Sequence, residues 1–246
     1  MIPFFDRVSI SASYSAYFQD TSFNSLNVTL PFKGYHGINI AYGGFDYGKT
    51  DSYLEDASGD YVKNGTFDAN DAFIGASYGR MVTAEIYFGM GFKYAWQTID
   101  GVKIDGIVMC ASGMYMPDKT WYIAGGIDNA GFDVDGYKMP SSGYISLIDT
   151  PEDIGSMFVY GFEFRAFSDE TMWLKGAFEF NYDKMFFARL GYSIPLNNDN
   201  DSLGEWYDKN LSAGFGIEYS FFAIDYAWLP FGDLGTTSMI SLQIYF

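Results

Sequence analysis

The feature that most constrains this chain is a two-residue alternation of apolar and polar side chains that recurs from one end to the other. In VSISASYSAYF, Val8, Ile10, Ala12, Tyr14, Ala16 and Phe18 are interleaved with Ser9, Ser11, Ser13 and Ser15. Successive side chains of a strand point to opposite faces, so this spacing specifies extended backbone with one greasy face and fits no helix. Leu26, Val28, Leu30 and Phe32 oppose Ser25, Asn27 and Thr29 in the same way. Between residues 84 and 97, Ile86, Phe88, Met90, Phe92, Tyr94 and Trp96 oppose Tyr87, Gly89, Gly91, Lys93, Ala95 and Gln97. FVYGFEFRAF, MWLKGAFEF, MFFARLGYSI, LSAGFGIEY and FFAIDYAW follow, and the chain closes on SMISLQIYF, with Ile240, Leu242 and Ile244 on one face. About thirteen strand candidates and no convincing amphipathic helix make the class all-β.

Composition separates a soluble sandwich from a barrel in a bilayer. One residue in five is aromatic, and charge is crowded into FDYGKTDSYLEDASGDYVKNGTFDAND and LNNDNDSLGEWYDKN rather than onto the greasy strand faces. That is the pattern of a transmembrane barrel, with apolar positions outside, polar positions inside, aromatic girdles, and a mixture of short turns and long polar loops. The connections over 47–70 and 196–209 read as long loops, and the one near Asp183 as short. No segment approaches the roughly 20 consecutive apolar residues of a membrane-spanning helix. A bilayer offers no partners to free backbone groups, so the sheet must close, with an even strand number expected. The expectation is therefore a single domain over residues 1–246, an antiparallel β-barrel of about 14 strands with 12–14 visible in this chain, in the outer membrane of a diderm bacterium. The start MIPFFDRVS has neither the basic nor the long apolar region of a secretory signal. With an odd strand count, this leads us to expect that an N-terminal piece lies outside the chain.

The stretch AIDYAWLPFGDLGTTSMISLQIYF resembles the C-terminal signature of the PorV-like branch of the FadL superfamily, whose members end in an Asp-Tyr-Ala strand, a Pro-x-Gly-Asp-Leu-Gly turn and a last strand closing on Phe. Asp225, Gly232, Asp233, Gly235 and Phe246 occupy those places. Upstream, FDANDAFIGASYGR resembles the family's segment leading into a Ser-Tyr strand, GGIDNAG its Asn-containing turn, and FARLGYSIPL its Arg-x-Gly-Tyr strand. The family's N-terminal Asn-Pro-Ala-Gly type segment, which contributes to a hatch in FadL relatives, has no counterpart here. The resemblance implies fourteen strands, a cofactor-free passive barrel, and Phe246 as the terminal aromatic by which such barrels are recognised for assembly. Read physically, Asp225 and Asp233 organise strand and turn hydrogen bonds, and Gly232 and Gly235 supply the permissive backbone of a tight turn.

Parity places a set of charges on the lumen side: Glu163 and Arg165, then Lys175 and Glu179, then Arg189, with Glu218 and Asp225 following. Opposite signs on adjacent strands are near enough to pair, which reads either as a ladder that stiffens the lumen or as an ion-selective constriction. The same parity points Tyr87, Trp173, Met185 and Phe187 inward, where a water-filled pore would hold polar groups. In KIDGIVMCASGMYM the parity is ambiguous, with Ile107 and Met109 as additional lumen candidates. An apolar lumen suits a hydrophobic small-molecule ligand. Trp173 and Phe187 are expected to lie close together, with Arg165, Lys175 or Arg189 anchoring a fatty-acid carboxylate. Packing around a plug is the alternative.

Other chemistries find little footing. The single histidine, His36 in KGYHG, reads as a turn residue without a nucleophile partner, and the single cysteine, Cys110, as a small hydrophobe in a strand. There is no Cys/His cluster of zinc-site type and no phosphate-cradling glycine turn, and the acidic loops lack the fixed spacing of a calcium site. No enzyme activity, cofactor or metal is expected, and a net charge of −17 argues against nucleic acid. Three functions remain: a FadL-like transporter of long-chain fatty acids or other hydrophobic compounds, a PorV-like barrel engaging secretion-system subunits, and a structural barrel. Outer-membrane lipid is a partner under all three.

Overall fold

The computed structural model describes residues 7–17, 21–56, 58–131, 140–151, 157–197 and 210–246. Fourteen strands run up and down in chain order: β1 (Ser9–Ala16), β2 (Ser22–Phe32), β3 (His36–Glu55), β4 (Tyr61–Met81), β5 (Ile86–Ile99), β6 (Val102–Tyr115), β7 (Trp121–Gly131), β8 (Ser142–Asp149), β9 (Phe158–Phe167), β10 (Met172–Tyr182), β11 (Phe186–Pro195), β12 (Leu211–Tyr219), β13 (Phe222–Pro230) and β14 (Thr236–Tyr245). Each pairs antiparallel with the next, and β1 pairs with β14 from Ser9–Tyr245 to Ala16–Ser238, closing the barrel. The expected fourteenth strand thus lies within the chain, not upstream of it. Closure leaves no edge within the ring, so the backbone groups of the barrel wall find partners inside the sheet.

Burial is inverted relative to a soluble protein. Ile40, Ile74, Phe92, Ile107, Phe162, Leu190, Phe215 and Ile240, on eight different strands, all face outward and exposed, while buried apolar side chains among the described residues are few: Tyr87, Val108, Met114 and Ala223. Apolar contact with solvent on this scale is unfavourable in water, so the outer band requires hydrocarbon. The row of serines on β1 faces inward, with Ser9 and Ser15 buried and Ser13 hydrogen bonded to Ser241 at 2.8 Å.

Hairpins follow local chemistry. Asp100 and Gly101 join β5 to β6 with φ of 49° and 76°, the two positive values that a two-residue turn between twisted strands requires. Gly232 and Gly235, with φ of 60° and 102°, bracket the single 3-10 turn between β13 and β14. That turn is held by backbone bonds, Phe231 N–H to Gly235 O and Gly235 N–H to Gly232 O, and its N-cap residue Phe231 makes no side-chain cap.

Two further expectations are corrected here. Most of the described residues of 47–70 are strand, not loop: β3 to Glu55 and β4 from Tyr61 continue as a two-stranded ribbon above their neighbours, since the pairing of β2 stops opposite Asp46 and that of β5 opposite Ala69. The polar composition that reads as loop reflects strand exposed on both faces. GGIDNAG is not a turn either; it lies in β7. The long connection expected over 196–209 falls almost wholly outside the described residues.

Candidate functional site

The lumen has two chemically different walls. The first is ionic and runs along β7 to β13. Arg165 donates from Nε to Glu163 Oε1 at 2.9 Å and from Nη1 to Asp128 Oδ2 and Ser142 Oγ, both at 3.0 Å, with its guanidinium 4.7 Å from the centre of the Tyr144 ring. Lys175 Nζ reaches the same Glu163 oxygen at 3.3 Å. Arg189 donates to Glu179 Oε2 at 2.6 Å on β10 and, across β12, to Asp225. Gly216 on β12 makes that second contact possible, because a Cβ there would collide with both the Asp225 carboxylate and, at 3.1 Å, Arg189 Nη1. Three cations therefore face four carboxylates, and each arginine is engaged by two of them.

Asp128 enters this network through a break in the alternation of β7. Cys110 on β6 stands between the pairs Met109–Ala130 and Ala111–Ile127, so Asp128 and Asn129 together oppose one residue. Asn129 takes φ 53°, a conformation that Asn tolerates better than most residues. Both neighbours then project polar groups into the lumen: Asp128 to Arg165, and Asn129 Oδ1 to Lys93 Nζ at 3.0 Å. A bulge redirects side chains in this manner.

The second wall is aromatic and lies on β2 to β6, across the barrel: β4 and β11 are seven strands apart in a ring of fourteen. Phe23 shares the inward register of Ser25 and Asn27, Phe45 that of Gly43, and Phe73 that of Gly75 and Ser77. Gly43 lies under two of these rings, since a Cβ on it would overlap Phe73 and approach Phe23 to 3.1 Å. Lys93 Nζ sits 5.5 Å from the centre of the Phe73 ring. The three phenylalanines, Asp71, Gln97 and Ile104 line a pocket of about 540 Å³, within the range of ligand sites. Phe23, Phe45, Phe73, Lys93, Asp128 and Asn129 were all missed as site residues by the sequence reading. For the phenylalanines a signal was available, namely aromatic residues in a register otherwise held by serine, asparagine and glycine.

The residues singled out in the sequence are dispersed. Trp173 pairs with Arg165 and Pro195 and, with Lys175, lines a separate recess of about 260 Å³ toward the ribbon end of the barrel. Phe187 pairs with Asn181, eight residues along β10 from Trp173 and so roughly 27 Å away. The expected proximity of Trp173 and Phe187 is thus wrong: a short turn brings together the residues beside it, and Trp173 is at the far end of its strand. Phe187 instead lies 5.2 Å from the Arg189 guanidinium. Met185 belongs to the turn before β11, where its carbonyl accepts from Glu218 N–H at 2.9 Å, and is not on a strand. Tyr87 is buried inside, opposite Met81 and Met114. Ile107 and Met109 face outward, and Ile104, Val108, Cys110, Ser112 and Met114 share the inward register of β6. Asp225 points inward to Arg189, and Phe246 stands exposed beyond β14 with its N–H bonded to Val8 O.

A closed, fourteen-stranded antiparallel barrel with an apolar exterior and a mixed polar and aromatic lumen is the architecture of an outer-membrane barrel. No family model and no curated protein matches the sequence. Among solved structures, the Ralstonia pickettii toluene transporter TbuX superposes with a TM-score of 0.72 at 11% identity, over 100% of this chain and 91% of that one. The monoaromatic hydrocarbon channel CymD gives 0.66 at 10% identity over 99% and 88%, and the Pseudomonas putida toluene transporter TodX 0.64 at 9% over 98% and 89%. At these identities the likeness is one of fold.

Proposed function

We propose that this chain is a passive outer-membrane channel for small, largely apolar compounds about the size of one aromatic ring, embedded as a multi-pass barrel in a diderm bacterium. The observation that carries the reading is the aromatic wall, Phe23, Phe45 and Phe73 aimed into the lumen around a pocket of about 540 Å³. A water-filled pore has no use for three phenylalanines there, and apolar ligands are bound by such surfaces. The fold shared with transporters named for toluene and monoaromatic hydrocarbons supports the same substrate class. Trp173 and Lys175 would line an outer vestibule, with Tyr87, Met185 and Phe187 toward the short-turn end.

Long-chain fatty acids fit less well. Arg165, Lys175 and Arg189, the groups that would anchor a carboxylate, already face Asp128, Glu163, Glu179 and Asp225, so an anionic headgroup would meet a wall with a surplus of negative charge. A PorV-like role in secretion, with secretion-system subunits as partners, rests on the C-terminal likeness, and Asp225 in that signature is occupied with Arg189.

The test is uptake of radiolabelled toluene by cells that display the barrel and lack other hydrocarbon channels. Initial rates should rise severalfold over the empty vector and fall back toward it in a Phe73→Asp variant. Rates equal to the empty vector, with the barrel correctly inserted, would overturn the proposal, and co-purification of a secreted protein would turn it toward export.

A further inference from the structure

Within the aromatic pocket one polar group stands out. Asp71 on β4 faces inward between Phe45 on β3 and Gln97 on β5, its Cα-level partners, and two residues from Phe73 on the same face. Tyr47 donates its hydroxyl to Asp71 Oδ2 at 2.6 Å, with its ring 4.7 Å from that of Phe45. The other oxygen, Oδ1, is buried and has no hydrogen-bond partner among the described residues, and Asp71 is in no ion pair there. The nearby cation that stacks on Phe73, Lys93, is directed instead to Asn129. A carboxyl oxygen held in apolar surroundings without a donor is costly, and any ligand that brings a donor recovers that cost.

We propose that the pocket recognises single aromatic rings bearing one hydrogen-bond donor, with Asp71 Oδ1 as the acceptor and Phe23, Phe45 and Phe73 holding the ring. This rests on the channel reading above and narrows its substrate class. A phenolic hydroxyl and an arylalkyl ammonium share the required chemistry. The hydroxyl uses the charge-assisted bond alone, and the ammonium adds Coulomb attraction to Asp71 and to the aromatic faces. Toluene fills the same space and leaves Oδ1 unpaired. The discrimination arises as it does wherever a site built around a polar group rejects the analogue that cannot satisfy it.

The experiment is equilibrium dialysis of the whole chain in lipid nanodiscs against radiolabelled toluene, 4-methylphenol and benzylamine, with empty nanodiscs subtracted. Wild type should bind at least one donor-bearing ligand about tenfold more tightly than toluene, the ratio expected of one hydrogen bond to a charged group. Asp71→Leu should abolish the ratio. Asp71→Asn, nearly isosteric, separates the two sources: loss of the benzylamine preference with retention of that for 4-methylphenol assigns the first to charge and the second to the hydrogen bond, and retention of both assigns both to the hydrogen bond. Equal affinity of wild type for all three ligands, or a ratio that survives in Asp71→Leu, would overturn the subsite. Flux across the same membranes is read independently. An Asp71-dependent ratio without flux leaves the subsite standing and removes the channel, whereas toluene flux without the ratio does the reverse.

Discussion

Arg165 on β9 reaches across β8 to Asp128 on β7, Nη1 to Oδ2 at 3.0 Å, while its guanidinium stacks on Tyr144 of the strand it crosses. Three strands are tied by one side chain. Arg165→Ala would leave Asp128 without its counter-ion and Glu163 with Lys175 alone, and should destabilise the barrel by about 1–2 kcal/mol in a lumen still open to water. The measurement is the temperature at which the folded gel band disappears. The cost should shrink in an Asp128→Asn background, because the two residues share one interaction; equal costs in both backgrounds would count against the coupling.

Gly216 is the passage by which Arg189 and Asp225 meet over β12. Gly216→Ala should part them, freeing one carboxylate in the lumen. Planar-bilayer recordings should then show a shift toward cations relative to wild type, and an unaltered reversal potential in a salt gradient would refute it.

Gly43 sets the depth of the aromatic pocket. Gly43→Leu should push the Phe73 ring into the space it borders and lower hydrocarbon uptake with little change in folded yield. Uptake equal to wild type would mean that the ligand takes another path.

Phe246 is exposed at the chain terminus, outside the paired residues of β14. Its deletion removes no lumen contact and one backbone bond, to Val8 O at the closing seam, so a fall in membrane insertion that Phe246→Ala, which keeps that bond, reproduces would report recognition of the aromatic side chain by the assembly machinery. We expect reduced surface yield with an unchanged melting temperature for the fraction that inserts.

In the turn between β6 and β7, the backbone amides of Trp121 and Thr120 and the Thr120 hydroxyl hold the Asp118 carboxyl below the ordinary range. A depressed carboxyl stabilises the fold above its unfolded value of roughly 3.9, and the contribution is lost as pH falls through the lower folded value. Wild type should therefore exceed Asp118→Ala in melting temperature at neutral pH, with the two converging in strong acid. A constant gap would contradict the assignment.

Alternation made the strands and their faces legible, because a half-buried strand in a closed sheet has only two places to put a side chain. Glu163, Arg165, Lys175, Glu179 and Arg189 stand in the lumen for that reason. Distance along the barrel was not legible: the relation of Trp173 to Phe187 depends on hairpin register, which parity leaves undetermined. The direction of Ile107 and Met109, candidates for the lumen that in fact face outward, stayed ambiguous because β6 carries apolar residues on both faces, so its own period gives no direction. Asp128 and Asn129 escaped notice because an irregularity in pairing belongs to two strands at once and neither shows it alone. The ribbon of β3 and β4 was hidden by its composition, since strand exposed to water on both faces has no reason to alternate.

The doubled residue of β7 also governs which changes of length the chain can accept. Removing Asn129 would restore strict alternation and leave Ala130 and Gly131 on the faces they hold now, because Ile127 and Ala130 already pair with the outward Ala111 and Met109. An insertion or deletion in an exposed hairpin tip changes only the tip. Elsewhere within β7 a single codon gained or lost exchanges inside for outside along the rest of the strand, and loss of Asn129 itself would keep the faces but remove the partner of Lys93 beside the aromatic wall. Substitutions in this strand can accumulate one at a time, whereas its length is effectively frozen.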